Sequence, residues 1–337
     1  MSIEEFKSEE EYVSQAGSGA LLNPRIDSTF KALFTRPTAE SRAALLSFLE
    51  AATERSIKDF KLTANDAPEE FSGQRRVNYD IACEFNDGQA ADIEMQAFNQ
   101  KYDYGKRAEY QVARLETTYL KKGDGWEKAP TVYQITVLDF EYDSKSDAVV
   151  SRYAMRTKDG RELSNALNVI FIDLIKAKSL EKKIDTNSKL ENWAVFLKDA
   201  DNPRKTDVIH RLTTKEDGLM QAQKSLSSIS ADRDLWFAQY RQEIFERDRI
   251  SSINASLREG REKGLAEGRA KGLAEGRAEG RAKGLAEGRE KGLAEGREKG
   301  LAEGKKEIAK TMLDGGMEIR QISLFTGLSE EEIEALR

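Results

Sequence analysis

From about residue 21 to residue 140 the hydrophobic positions switch between helical spacing and the alternation of a strand. RIDSTFKALF reads as a short amphipathic helix that Pro37 stops. Thr38 then caps a second helix over TAESRAALLSFLEAATE, with Leu45, Phe48, Leu49 and Ala52 on one face. IKDFKLTA follows as a strand. VNYDIACEF and QAADIEMQ bracket the turn residues NDG in a hairpin pattern. Tyr104 to Lys122 is predicted as a helix with an apolar stripe of Tyr104, Ala108, Val112, Leu115 and Tyr119, stopped by Gly123. TVYQITVLDF is a buried strand. From about residue 142, DAVVSRYAM and ALNVIFIDLI read as strands joined across KDGRE, and KLENWAVFLKDA as an amphipathic helix. Beyond Thr213 the pattern is helical and increasingly polar.

A repeat follows. From Gly260 to Gly304 a glycine stands at every fourth position, with Arg, Lys, Glu, Ala and Leu between. These are strong helix formers, but each interior glycine costs about 1 kcal/mol relative to alanine. The favourable pairs Glu259–Lys263, Glu267–Lys271, Glu279–Lys283, Glu287–Lys291 and Glu295–Lys299 return only about 0.2–0.5 kcal/mol each. An isolated helix here is therefore expected to be marginal, leaving a charged tether or a helix packed on another copy. The tail has two helical patterns separated by Asp314-Gly315-Gly316, then a short third one with a capping box at Ser329 and Glu332.

The hairpin carries the chemistry. Asn86 and Asp87 suit a type I turn and Gly88 the left-handed position after it, a three-residue loop with a G1 bulge. Counting back pairs Ala82 with Asp92, Asp80 with Glu94 and Asn78 with Gln96. The other face pairs Cys83 with Ala91, Ile81 with Ile93 and Tyr79 with Met95. One face is thus apolar, and the other gathers Asp80, Asp92, Glu94 and Gln96. Like charges opposite each other on a sheet repel. A mostly exposed face tolerates them as solvated acids, whereas a Mg²⁺ ion turns the repulsion into ligation and can activate water. The in-register acids with a pendant amide at Gln96 favour the metal.

Composition narrows the setting. The 337-residue chain is 39% hydrophobic and 34% charged, has a single cysteine and a single histidine, and offers no apolar run long enough to span a bilayer. The acidic start, MSIEEFKSEEEY, lacks the form of a secretory signal. A cytoplasmic, non-membrane protein is expected. One cysteine excludes a disulfide framework and a zinc cluster, and no HNH, HExxH or phosphate-loop pattern occurs. A net charge of −6 neither favours nor excludes DNA, because basic residues including Lys31, Arg75, Arg76 and Arg107 flank the hairpin motifs.

Asp80, followed by Glu94-Met95-Gln96, resembles the D…ExQ form of the PD-(D/E)XK nuclease signature. RIDSTFKALF, Arg107-x-x-Tyr110, the strand TVYQITVLDF, and later NVIFIDLIK and Trp193 to Leu197 resemble the layout of the recombination-promoting nuclease/transposase family of that superfamily. The resemblance implies an α/β (α+β) restriction-endonuclease-like core, αβββαβ with a mixed sheet, followed by the long Gly-repeat helical segment and a small helical tail. The expected divisions are a flexible N-terminus (1–20), the nuclease-like domain (21–200), a helical connector (201–258), the repeat (259–304) and a helix-turn-helix-like tail (305–337). It further implies a DNA endonuclease dependent on Mg²⁺ (or Mn²⁺), linked to recombination or mobile elements. Asp80 and Glu94 become metal ligands, with Asp27 as a candidate third, and Gln96 stands where the superfamily's lysine usually sits. Arg107, Tyr110 and Lys31 are candidates for phosphate, although solvation is the simpler expectation for Lys31. The competing reading is a catalytically weak or inactive nuclease fold that acts as a binding or assembly module, a homo-oligomer formed through a coiled coil of residues 260–304.

Overall fold

The turn at Asn86-Asp87-Gly88 forms as its residues require. In the computed structural model, which describes residues 8–66, 75–98, 103–120 and 122–337, Gly88 takes φ +82°. The Gly88 N–H donates to the Phe85 carbonyl at 3.0 Å, and the Phe85 N–H to Gln89 at 2.7 Å. Strands β2 (Ile81–Phe85) and β3 (Ala90–Gln96) then pair antiparallel with Ile81 opposite Ile93, Ala82 opposite Asp92 and Cys83 opposite Ala91. That is the expected register.

The ladder stops there, and the expected pairs Asp80–Glu94, Tyr79–Met95 and Asn78–Gln96 do not continue it. The chain bends at Asp80, whose carboxylate accepts the Met95 N–H at 3.3 Å. Upstream, Tyr79 donates to the Asn65 carbonyl and Asn78 bridges Asp66, so this stretch follows the chain leaving β1 (Phe60–Leu62). The bend shifts the alternation by one residue. Tyr79 consequently packs with Val77 and Ala82 rather than with Ile81.

The remaining strands are β4 (Val132–Leu138), β5 (Val150–Ala154) and β6 (Leu167–Asp173), giving one sheet in the order β1-β2-β3-β4-β6-β5. The β3–β4 and β4–β6 pairs are parallel, and β1–β2, β2–β3 and β5–β6 pair antiparallel. A parallel β3–β4 pair needs a crossover. Helix α4 (Tyr104–Tyr119) supplies it and lays Tyr104, Ala108, Val112 and Leu115 on one sheet face, against Ala82, Ala90, Val132, Leu138 and Phe171. The opposite face, with Ile81, Cys83, Ile93, Ile135 and Ile172, is covered by α2 (Asp27–Thr35), α3 (Ala39–Thr53), α5 (Lys189–Asp199), α6 (Thr206–Lys215), α7 (Asp217–Ile229) and the first turns of α8 (Arg233–Asp314). With both faces covered, β4 is buried along its whole length, as a continuous apolar run predicts. Thr38 and Ser188 cap α3 and α5 through their hydroxyls.

Within the stretch expected to be flexible, Glu9–Val13 forms the short helix α1; residues 1–7 lie outside the described residues. Its Tyr12 ring packs edge-on to Trp236 at 5.7 Å, and its hydroxyl donates to Glu243 at 2.6 Å.

Contacts divide the chain near Asp248–Arg249. In the second unit α8 runs unbroken through the repeat, and a Cβ added at any glycine from Gly260 to Gly304 would meet nothing within 4 Å. The ion pairs Glu259–Lys263 (2.7 Å) and Glu279–Lys283 (2.9 Å) form as their spacing predicts. The end of α8, α9 (Ile319–Thr326) and α10 (Glu330–Glu334) enclose a small core of Ala309, Ile322, Leu328 and Ile333, and the Ser329–Glu332 capping box is present.

Trp193 is fully buried in the first unit, against Phe34 (5.8 Å), Phe48 (5.3 Å) and Phe196 (5.8 Å). Trp193→Ala should cost about 3–5 kcal/mol in urea unfolding. A loss under about 1 kcal/mol would mean that this aromatic cluster is not the core.

Candidate active site

Strand alternation puts Asp92 and Glu94 on the face that α4 covers, and their exposures are 0% and 1%. Their burial does not fit the mostly exposed, solvated face that stood as the alternative to a metal site. The crossover helix that the parallel pair requires lies over them. Glu94 is compensated from that helix. Its Oε2 accepts from the Arg107 guanidinium at 3.2 Å and from the Gln96 amide at 3.4 Å, and its Oε1 accepts from the Gln111 amide. Asp80 is compensated from the opposite direction. Lys31, on α2, lies 3.0 Å from Asp80 and 3.1 Å from Asp27, and the Met95 N–H completes the set.

Six of the seven residues singled out in the sequence thus gather in two linked clusters: Asp27, Lys31 and Asp80, and Glu94, Gln96 and Arg107. Lys31 is ion-paired rather than simply solvated. Tyr110 stands apart from both clusters, and its hydroxyl donates to the Arg75 carbonyl at 3.4 Å. Gln111 was missed by sequence reasoning. The signal for it was present, since Arg107 and Gln111 are four residues apart and share one helix face.

Burial dominates the electrostatics. It raises the Glu94 carboxyl to about 7, against the pull of Arg107 and with a further push from the Asp80 charge. Burial and then Asp27 raise Asp80, and Lys31 opposes them. For Lys31 burial works against the charge, but Asp80 and Asp27 outweigh it and hold the ammonium above its usual range. Asp92 is raised well above the ordinary carboxylate range by burial and by Glu94. Its oxygens have no hydrogen bond of normal geometry, even from Gln134 beside it on β4.

Two carboxylates and an amide oxygen suit a hard cation. Mg²⁺ is commonly held by one or two carboxylates, with water and substrate phosphate completing its shell. Among the described residues no three acidic, histidine or cysteine side chains converge as an all-protein cage, which is compatible with that open mode. The ammonium of Lys31 and the guanidinium of Arg107 already show that these carboxylates attract cations. The donor set fits Mg²⁺ or Mn²⁺.

Residues 24–256 match the model of the PD-(D/E)XK nuclease family transposase. The chain belongs to this family. Residues 302–337 match the Rpn/YhgA-like nuclease family, C-terminal HTH domain, which takes in the end of α8 together with α9 and α10. Comparison with curated proteins and with solved structures finds no significant match. In this PD-(D/E)XK nuclease family transposase, the cluster around Asp80 and Glu94 lies within the matched residues. Among the described residues no helix is long and apolar enough to cross a membrane.

The raised Glu94 value fixes a direction with pH. Between the ordinary glutamate value of 4.5 and about 7, the folded state binds more protons than the unfolded one. Stability of the metal-free protein should therefore fall as pH rises through that window. A divalent cation must displace the same proton, so Mn²⁺ affinity measured by calorimetry should weaken about tenfold per pH unit below 7. Equal affinity at pH 5.5 and pH 7.5 would remove Glu94 from the ligand set.

Proposed function

We propose that the chain is a metal-dependent DNA endonuclease that hydrolyses phosphodiester bonds, acts in recombination or on mobile elements, and resides in the cytoplasm. The observation that carries this reading is the pair Asp80, at the bend that leads into β2, and Glu94 on β3, each held by a cation in a partly buried cluster. Bound there, Mg²⁺ or Mn²⁺ would polarise a phosphate oxygen and lower the pKa of a water molecule. Asp80 and Glu94 hold the ion, with Asp27 beside them. The Gln96 amide orients water or phosphate. Arg107, once a metal neutralises Glu94, turns its fork of donors to the phosphate. Tyr110, half-exposed on the same helix, contacts the DNA backbone. The HTH-family tail adds a second DNA-contacting element.

Cleavage of supercoiled plasmid with Mg²⁺, abolished by chelation, tests the activity. Asp80→Asn and Glu94→Gln should reduce it to background. Glu94→Gln is chosen over alanine because an amide still occupies the space between Arg107 and Gln111. A folded Glu94→Gln variant that cuts at the wild-type rate would remove the assignment.

A second reading, assembly through the repeat, is favoured by one observation. Leu265, Leu273, Leu285, Leu293 and Leu301 stand exposed on α8 beside glycines at which an added Cβ would meet nothing within 4 Å. Glycine at every fourth position advances about 40° per step, and a period above 3.6 favours right-handed coiling between helices. A second copy of the repeat would bury these leucines. Sedimentation of the full chain should then show mass rising with concentration, and replacing alternate glycines by leucine should abolish the rise. A monomer at all concentrations leaves the repeat as a tether.

A further inference from the structure

Helix α2 enters the core through Phe30, Leu33 and Phe34, all buried. That anchoring fixes the next side chain on its other face, Lys31. Its side chain is 36% exposed, so the ammonium stands at the boundary between the acids and solvent. It touches Asp80 at 3.0 Å and Asp27 at 3.1 Å, and its charge is also felt at Glu94. Among the described residues, Arg107 is ion-paired with buried Glu94, and Arg25 with Asp139 at 3.3 Å and Asp201 at 3.8 Å. Gln96, at the end of β3, is neutral.

We propose that Lys31 is a catalytic residue that supplies the mobile positive charge of the active site, the charge that Gln96 does not carry. This rests on the nuclease reading above. The charge count favours it. Asp27, Asp80 and Glu94 bring three negative charges and Lys31 and Arg107 two positive ones. With a divalent cation bound by the carboxylates, the ammonium would be released from them while its helix holds it beside the site. A lysine suits that exchange, being a compact charge with three donors on a flexible stem.

In the hydrolysis, a water oxygen forms a bond to phosphorus and the ester P–O bond breaks, its electron pair leaving with the alcohol oxygen. The attacking water gives one proton to solvent and the leaving oxygen takes one from solvent. Negative charge grows on the non-bridging oxygens in between. Lys31 donates hydrogen bonds to them and stays protonated throughout.

If Lys31 served only to relieve repulsion between Asp27 and Asp80, a bound metal would make it dispensable. Lys31→Met, Lys31→Gln and the double variant Lys31→Met/Gln96→Lys separate the two roles. Lys31→Gln guards against a folding defect, because its amide can still bond to Asp27 and Asp80. Both single variants should bind Mn²⁺ in calorimetry at least as tightly as wild type, since a competing charge has gone. Both should cut plasmid about 100-fold more slowly or worse, the usual cost of one transition-state donor. Gln96 lies 3.4 Å from Glu94, so a lysine there reaches the same cluster, and the double variant should recover at least about tenfold of the lost rate. Cleavage by both single variants within about threefold of wild type overturns the proposal, as does loss of Mn²⁺ binding in both or a double variant no faster than Lys31→Met. A wild-type protein that cuts nothing with Mg²⁺ or Mn²⁺ removes the nuclease reading, and this inference with it.

Discussion

A carboxylate at 1% exposure must be met by charge or hydrogen bonds, and the layout around Glu94 follows from that need. The parallel pairing of β3 with β4 forces a helical crossover over the very face on which Glu94 points. The same helix then has to compensate the group it buries. Arg107 and Gln111 do so from adjacent turns, while the stripe of Tyr104, Ala108, Val112 and Leu115 seats the helix on the sheet. Topology, packing and site chemistry thus meet in α4. A change that tilts this helix moves both the core and the groups bonded to Glu94.

A buried ion pair is poor evidence for stability, because desolvation offsets most of the attraction. Two partly buried pairs, Lys31–Asp80 and Arg107–Glu94, are better understood through what can replace them. Lys31 and Arg107 together carry the charge of one divalent ion, and they approach from separate helices, α2 and α4. Each can withdraw without unfolding its helix, since α2 and α4 are anchored by apolar faces that do not include these residues. A scaffold of this kind would tolerate the exchange of internal cations for a metal that the proposed function requires.

The turn residues made much of this legible. Gly88 in the left-handed region dictates the register, and the register dictates that Asp92 and Glu94 share a face. What the alternation could not reveal was its own end. The bend at Asp80 depends on Asn65 and Asp66, which draw the preceding residues toward the chain leaving β1, and on the Met95 N–H that the Asp80 carboxylate accepts. Both are long-range partners with no local signature. The burial of the acids was hidden for a similar reason. Alternating polar residues read as a solvated face, and only the crossover from β3 to β4 shows that a helix lies above them. The repeat is the opposite case. The pairs Glu259–Lys263 and Glu279–Lys283 form as spaced, Lys271 turns to Glu275 rather than to Glu267, and glycine's intrinsic cost does not interrupt α8.

Asp92 and Glu94 show how far two like side chains on one strand can diverge. Both are buried beneath α4, and burial raises both. Glu94 has a guanidinium and an amide to meet its charge, so it is poised near 7, where a metal can displace its proton. Asp92 lies beside a neutral amide with no well-formed hydrogen bond, and Glu94's own charge pushes it further toward the protonated form. Environments that separate the pKa values of neighbouring acids commonly assign them different roles. Here the separation suits Glu94 to the ligand role proposed above, whereas burial and the Glu94 charge both disfavour a further negative charge on Asp92.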